Sequence, residues 1–351
     1  MGRMTLTRRR FLRMGVGAAG GLALGGGALG RLGKETAAPG TQAARTGPYF
    51  EPAGPATVSV IKGDNRYRIV TESLEAIGDD ILRSIGDKTI LLKPNVALAD
   101  NLLADTHVDC VRAILDFLAP HYKKTIIVGE GAHHRTFDAY KACGYLELEK
   151  THHVRLVDLN QDRFERRYVF GAEHRPLAVR ISSTCLDPNV YIISAARMKT
   201  HNYVLVTLSL KNLLLGCPIK DDTSNDKALF HTGPEAVNDI CHFNMFHIAQ
   251  DVFPDLAVID GFEAMEGNGP AWGTPFKSRV ALASLDPVAA DTVATRIMGF
   301  DPGRVLYLSS MAAAGLGQGD LQKMRIVGAP LDQCLYKFKA HKKMAELYKL
   351  T

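Results

Sequence analysis

From Thr57 onward the chain alternates short apolar runs, rich in β-branched residues, with longer segments whose apolar residues recur at helical spacing. Runs at 57–61, 89–92 and 125–128 are followed by helix-period segments at 74–85, 108–118 and 136–143. Such alternation favours parallel strands, because a crossover helix carries the chain back along the sheet before the next strand begins. Residues 154–159 continue the rhythm, 168–170 and 177–181 read as a hairpin or edge pair, and 189–194 restarts it. Further on, 237–252 and 288–298 read as helices, and 256–259, 280–283 and 324–327 as strands. The expected class is α/β: a largely parallel β-sheet with flanking helices, built either as one domain or as two α/β lobes. This domain is expected over residues 57–330. A basic C-terminal helix is expected over 331–351, where Leu335, Phe338, Leu347 and Tyr348 stand at near-helical spacing between lysines. Its long lysine stems would cover apolar surface of the domain.

Ahead of the domain, residues 1–38 have another character. Thr7-Arg8-Arg9-Arg10-Phe11-Leu12-Arg13 resembles the twin-arginine translocation pattern, and a weakly apolar, Gly/Ala-dominated stretch follows at 14–30. With eight glycines in those seventeen residues, the stretch reads as a signal and not as a membrane span. The resemblance implies export to the periplasm or cell envelope by the twin-arginine translocase. Membrane contact would come only through an uncleaved leader. Residues 39–56 read as a Gly/Ala/Pro/Thr-rich linker. Seven of the lysines and arginines lie in 1–38 against one acid, +6 of the formal +5, so the remainder sits near −1. The basic balance of the chain therefore belongs to its leader and gives no reason to expect nucleic-acid binding.

The six cysteines, Cys110, Cys143, Cys185, Cys217, Cys241 and Cys334, are scattered without a Cys-x-x-Cys or any short ligand spacing. Their apolar neighbours suit buried thiols, and no iron–sulfur cluster is expected.

In open α/β sheets the ligand crevice lies beyond the carboxyl ends of the strands. Four apolar runs here end in polar residues: Lys93-Pro94-Asn95, Gly129-Glu130-Gly131, Lys199-Thr200-His201 and Asp260-Gly261. A helix-period segment at 207–213 adds Lys211-Asn212. A long polar loop at 216–235 holds Asp221, Asp222 and His231, and a Gly-rich loop at 263–273 holds Glu266. Loops of this length inside a compact domain are commonly functional. From these residues Lys93, Asn95, Lys199, Lys211 and Asn212 are expected to bind an anionic small molecule. His201 and Glu130 are the candidate catalytic acid/base groups. Asp260, Glu266 and His231 are candidate ligands for a divalent metal, and their mix of hard oxygens and imidazole suits magnesium, manganese or zinc without selecting one. Asp286 and Asp291, around the start of the helix at 288–298, read as a cap and a first-turn acid.

Taken together these motifs, with Leu208-Ser209-Leu210-Lys211-Asn212-Leu213, Met265-Glu266-Gly267-Asn268-Gly269-Pro270 and Asp286-Pro287-Val288-Ala289-Ala290-Asp291, resemble the bacterial and archaeal family known as domain of unknown function 362. The resemblance runs from about Thr57 to Val327. It implies the fold and the site and carries no reaction with it. Many relatives add a ferredoxin-like cluster domain, and this chain lacks its cysteines. Two functional classes follow: an exported enzyme acting on an anionic substrate, or an exported protein that holds a cofactor or assists maturation without catalysis.

Overall fold

The protein is described from a computed structural model, which covers residues 53–133, 135–171, 174–231 and 239–350. The expected twin-arginine leader and most of the expected linker lie outside the described residues.

In chain order the elements are β1 (Ala56–Lys62), α1 (Arg66–Glu75), α2 (Gly78–Ile85), β2 (Thr89–Pro94), α3 (Val108–Leu118), β3 (Ile126–Glu130), α4 (Thr136–Ala142), β4 (Val154–Asp158), β5 (Phe164–Phe170), β6 (Pro176–Ser182), β7 (Val190–His201), β8 (Leu205–Thr207), α5 (Ser209–Gly216), α6 (Asp239–Ile248), β9 (Leu256–Glu266), β10 (Thr274–Phe276), β11 (Val280–Ser284), α7 (Pro287–Ile297), α8 (Leu306–Ala313), β12 (Met324–Gly328) and α9 (Lys342–Tyr348). Local chemistry sets several of the boundaries. The Asn65 side chain caps α1 by accepting from Arg68 N, and Asp286 caps α7 by accepting from Ala289 N, with Pro287 at the first helical position.

One continuous sheet runs in the order β12-β1-β11-β9-β7-β2-β3-β4, with β8 and β10 appended to β7 and β9, while β5 and β6 form a separate antiparallel pair. The continuity of this sheet replaces the two-lobe alternative by a single layer. Strands β9, β7, β2, β3 and β4 are mutually parallel, and β11 is the antiparallel member between β9 and β1. Side chains alternate between the faces of a strand, and each face carries its own core. Ile90, Leu92, Ile193 and Val258 pack with Ile69, Leu74 and Ile114 under α1 and α3. On the other face Leu91, Ile192 and Ile259 pack with Leu210, Met245, Val293 and Met311 of α5 to α8.

Two expectations change in detail. Strand β7 runs twelve residues, through Arg197, Lys199 and His201, so the polar motif read as the exit from a strand is its far end. The C-terminal helix is confined to Lys342–Tyr348. Before it the chain runs extended and is tied down by Tyr336 N to Ile297 O (2.8 Å) and Phe338 N to Met298 O (3.0 Å), with Phe338 buried. Docking against α7 satisfies that backbone in place of helical bonds.

Candidate functional site

After β1 the chain lays down β2, β3 and β4 in one direction across the sheet, then returns to place β7 against the other side of β2 and β9 beyond it. The strand order therefore reverses between β2 and β7. At such a switch point the loops leaving neighbouring strands diverge to opposite faces and open a crevice at the carboxyl ends. Asn95 just past β2, Lys199 near the end of β7 and Glu130 at the end of β3 line it, while Lys93, expected to bind the anion, lies fully buried beneath them.

There a hydrogen-bonded network joins them. Lys93 Nζ is fully buried and donates to Glu130 Oε1 (2.9 Å), Asn212 Oδ1 (3.1 Å) and Pro94 O (3.0 Å). Glu130 also accepts from Val96 N (2.8 Å) and Gly131 N (2.7 Å), so its charge is held by an ion pair and two amides. Asn212 donates to Lys93 O (3.1 Å) and Ser194 Oγ (3.0 Å), and accepts from Asn95 Nδ2 (3.2 Å). Asn95 Oδ1 in turn accepts from Lys199 Nζ at 2.6 Å, and Lys199 also donates to Ala104 O.

This network floors a cavity of about 250 Å³ whose wall includes Lys199, Lys211, Lys227, Glu130, Asn95 and Thr207. Lys211 is 8% exposed, and among the described residues its ammonium makes no hydrogen bond or ion pair. Thr207 Oγ1 is likewise buried without a partner. Burial lowers the Lys199 pKa to about 7, with Lys211 and Arg197 adding repulsion and Asp105 and Glu130 opposing it. Burial lowers Lys211 and Lys227 each to about 8. Lys227 donates to Gly216 O (2.9 Å) and Pro218 O (2.5 Å). Among the described residues the one carboxylate in the wall, Glu130, is already paired with Lys93, so the cavity presents unspent positive charge.

The other expected site residues lie elsewhere. Asp260 is completely buried, but alternation along β9 turns it to the face of α1 and α3. There it pairs with Arg66 Nε at 3.0 Å and accepts from Phe262 N at 3.0 Å. Glu266 accepts from Lys339 N (2.8 Å) and fastens the C-terminal segment. His231 packs against Tyr203 with the rings tilted, centroids 4.7 Å apart, and burial lowers its pKa to about 3. Among the described residues no three His, Cys, Asp or Glu side chains are grouped to hold a metal ion, so Asp260, Glu266 and His231 do not form the expected metal set. His201 is buried and absent from the cavity wall. Its Nδ1 accepts from Tyr203 N (3.0 Å) and Val204 N (3.4 Å), which closes the turn between β7 and β8. Burial, then Lys211 and His231, hold its pKa well below the ordinary value. In place of a general base, the geometry gives it the role of a neutral turn-former.

Several contributors escape the sequence reading. Lys227 sits in a short helical turn, Asp226–Leu229, inside the loop noted for its acids. Asp221 and Asp226 both engage Arg180 and anchor that loop to β6. Asp105, pushed up to about 6 by burial, faces Lys199 as a counter-charge while accepting from Ala97 N (2.8 Å). Asp291 reaches from α7 to accept from Ser209 N (2.9 Å), Ser209 Oγ (2.6 Å) and Leu210 N (3.0 Å), capping the helix that presents Lys211 and Asn212. Gly216 is required by close approach, since a Cβ there would collide with Cε and Nζ of Lys93. The paired glycines around Glu130 were the available sequence signal for such tight packing.

Fold and cavity together define a doubly wound α/β protein with a lysine- and asparagine-lined crevice at its switch point. The chain belongs to the family described as domain of unknown function (DUF362), which matches residues 90–296 and so takes in β2 through most of α7. It is similar to the thylakoid-associated protein sll1697 of Synechocystis sp., 27% identical over 253 residues that cover 71% of this chain and 74% of that protein. A solved structure of a Thermotoga maritima protein aligns with a TM-score of 0.40 at 11% identity, over 73% of this chain and 60% of that one, less than two thirds of its length.

Proposed function

We propose that the protein is an exported enzyme whose switch-point cavity binds an anionic small molecule, a carboxylate or a phosphate. The carrying observation is Lys211, an amine that is 8% exposed, faces the cavity and is left without a partner among the described residues. An ammonium held out of water without an acceptor is costly, and an anionic ligand relieves that cost. Lys199 and Lys227 share the same wall, and Asn95 and Thr207 supply neutral hydrogen-bonding groups. With a pKa lowered to about 7, Lys199 can accept or release a proton near neutral pH, which favours catalysis over simple storage. Export rests on the twin-arginine leader.

Thermal unfolding with added sulfate, phosphate or acetate tests the reading. A bound anion raises the midpoint progressively once its concentration passes the dissociation constant. Lys211→Met keeps most of the stem volume, so it should stay folded and lose that rise. Absence of stabilisation by all three anions in the wild type refutes the anion site.

A further inference from the structure

Within this cavity Lys199 and Lys211, two of its three lysines, differ in a way that assigns them different work. Lys211 has no partner among the described residues, whereas Lys199 donates two hydrogen bonds, to Asn95 Oδ1 and to Ala104 O. A neutral amine has two N–H bonds and one lone pair. With both N–H groups committed, the remaining tetrahedral position at Lys199 Nζ is the lone pair, and Lys199 is part of the cavity wall. Lys199 and Thr207 are directly opposed in the β7–β8 pair, so their side chains leave the same side of the ribbon. The Thr207 hydroxyl, buried in that wall without a partner, is available to an oxygen on a carbon that bonds to Lys199.

From this geometry we propose that Lys199 is a nucleophile that forms an imine with a small oxo acid, whose carboxylate is held by Lys211. The proposal rests on the anion-binding reading and names its substrate class. The Nζ lone pair attacks the carbonyl carbon, forming the N–C bond as the C=O π bond opens. A proton passes from nitrogen to oxygen to give the carbinolamine. The hydroxyl then leaves as water with one further proton, drawn from solvent or from a neighbouring ammonium, and the nitrogen lone pair closes the C=N bond as an iminium. One water is released and nothing is oxidised or reduced. The desolvated setting and the adjacent Lys211 charge act in the same direction, lowering the Lys199 pKa to about 7, so that about half of its amines are neutral near pH 7.

Incubating the full-length protein with pyruvate and cyanoborohydride, followed by peptide mass spectrometry, tests this. Reduction fixes the imine as a carboxyethyl group on the lysine. Labelling of Lys199 should outpace every exposed lysine by at least about tenfold, because an ordinary lysine of pKa about 10.4 keeps only about one amine in a thousand neutral near pH 7.5. Sulfate should suppress that labelling in competition, and Lys199→Arg should abolish it. Uniform labelling of surface lysines, labelling at Lys211 in place of Lys199, or labelling that sulfate leaves unchanged overturns the imine assignment. If sulfate stabilises the protein while pyruvate labels nothing, the imine falls and the anion site stands. If sulfate gives neither stabilisation nor competition, the anion site itself falls. The competition is read on wild-type protein and decides the matter even where the arginine variant does not fold.

Discussion

Replacing Lys93 by Met removes the ammonium beneath the cavity while keeping most of the stem. In the native protein that ammonium is fully buried and serves Glu130 at 2.9 Å, Asn212 at 3.1 Å and Pro94 O at 3.0 Å. Removing one partner of a buried pair costs about 3–5 kcal/mol, because the remaining charge is left without its counter-ion. Glu130 keeps the amides of Val96 and Gly131, at 2.8 Å and 2.7 Å, and Asn212 keeps Asn95. These retained donors place the expected loss at the lower end, about 3 kcal/mol. Adding Glu130→Gln deletes the stranded charge and leaves an oxygen for one of the two amides, which reach different carboxylate oxygens in the native protein, so the double variant should recover part of the loss. Urea unfolding of the wild type, both single variants and the double variant completes the cycle. A loss below about 1 kcal/mol in Lys93→Met, the range of exposed pairs, refutes the reasoning. So does a double variant less stable than Lys93→Met alone.

Gly216→Ala pushes a methyl group into Cε and Nζ of Lys93. It should cost about 1–3 kcal/mol as overpacking and weaken sulfate binding, read by denaturation and titration calorimetry. Sulfate stabilisation should fall as pH rises from about 6 to about 9, since Lys199 and Lys211, with pKa lowered to about 7 and about 8, lose their charge in that window. Without anion the same lowered pKa values give the opposite trend. The unfolded chain holds these protons up to about pH 10.4 while the folded protein releases them from about 7, so stability rises with pH across that interval. Thermal melts across pH, with and without sulfate, check both slopes. Replacing Arg8 and Arg9 by Lys should retain the protein in the cytoplasm, because recognition of a guanidinium pair does not transfer to ammonium groups. Cell fractionation reads the result.

The α/β rhythm, the parallel strands and the helix at 108–118 follow from local pattern, since apolar period and turn chemistry act over a few residues. The positions where chemistry collects were legible for the same reason. Lys93, Asn95, Glu130, Lys199, Lys211 and Asn212 follow apolar runs or sit on one short helix, and strand ends on one side of a sheet face a common crevice. What each residue does there was decided by tertiary structure. Asp260 follows an apolar run like the others, yet it lies inside β9, whose two-residue alternation turns it to the face of α1 and α3 and to Arg66, 194 positions away in sequence. His201 has the residue type of a general base and is spent on a turn, whereas Lys227 is unremarkable in its loop and lines the cavity. The lowered pKa of Lys211 has no local cause, because desolvation depends on everything packed around the amine. Sequence spacing thus determined which residues could meet. Only the sheet order, the face of each strand and the burial it imposes decided which of them do.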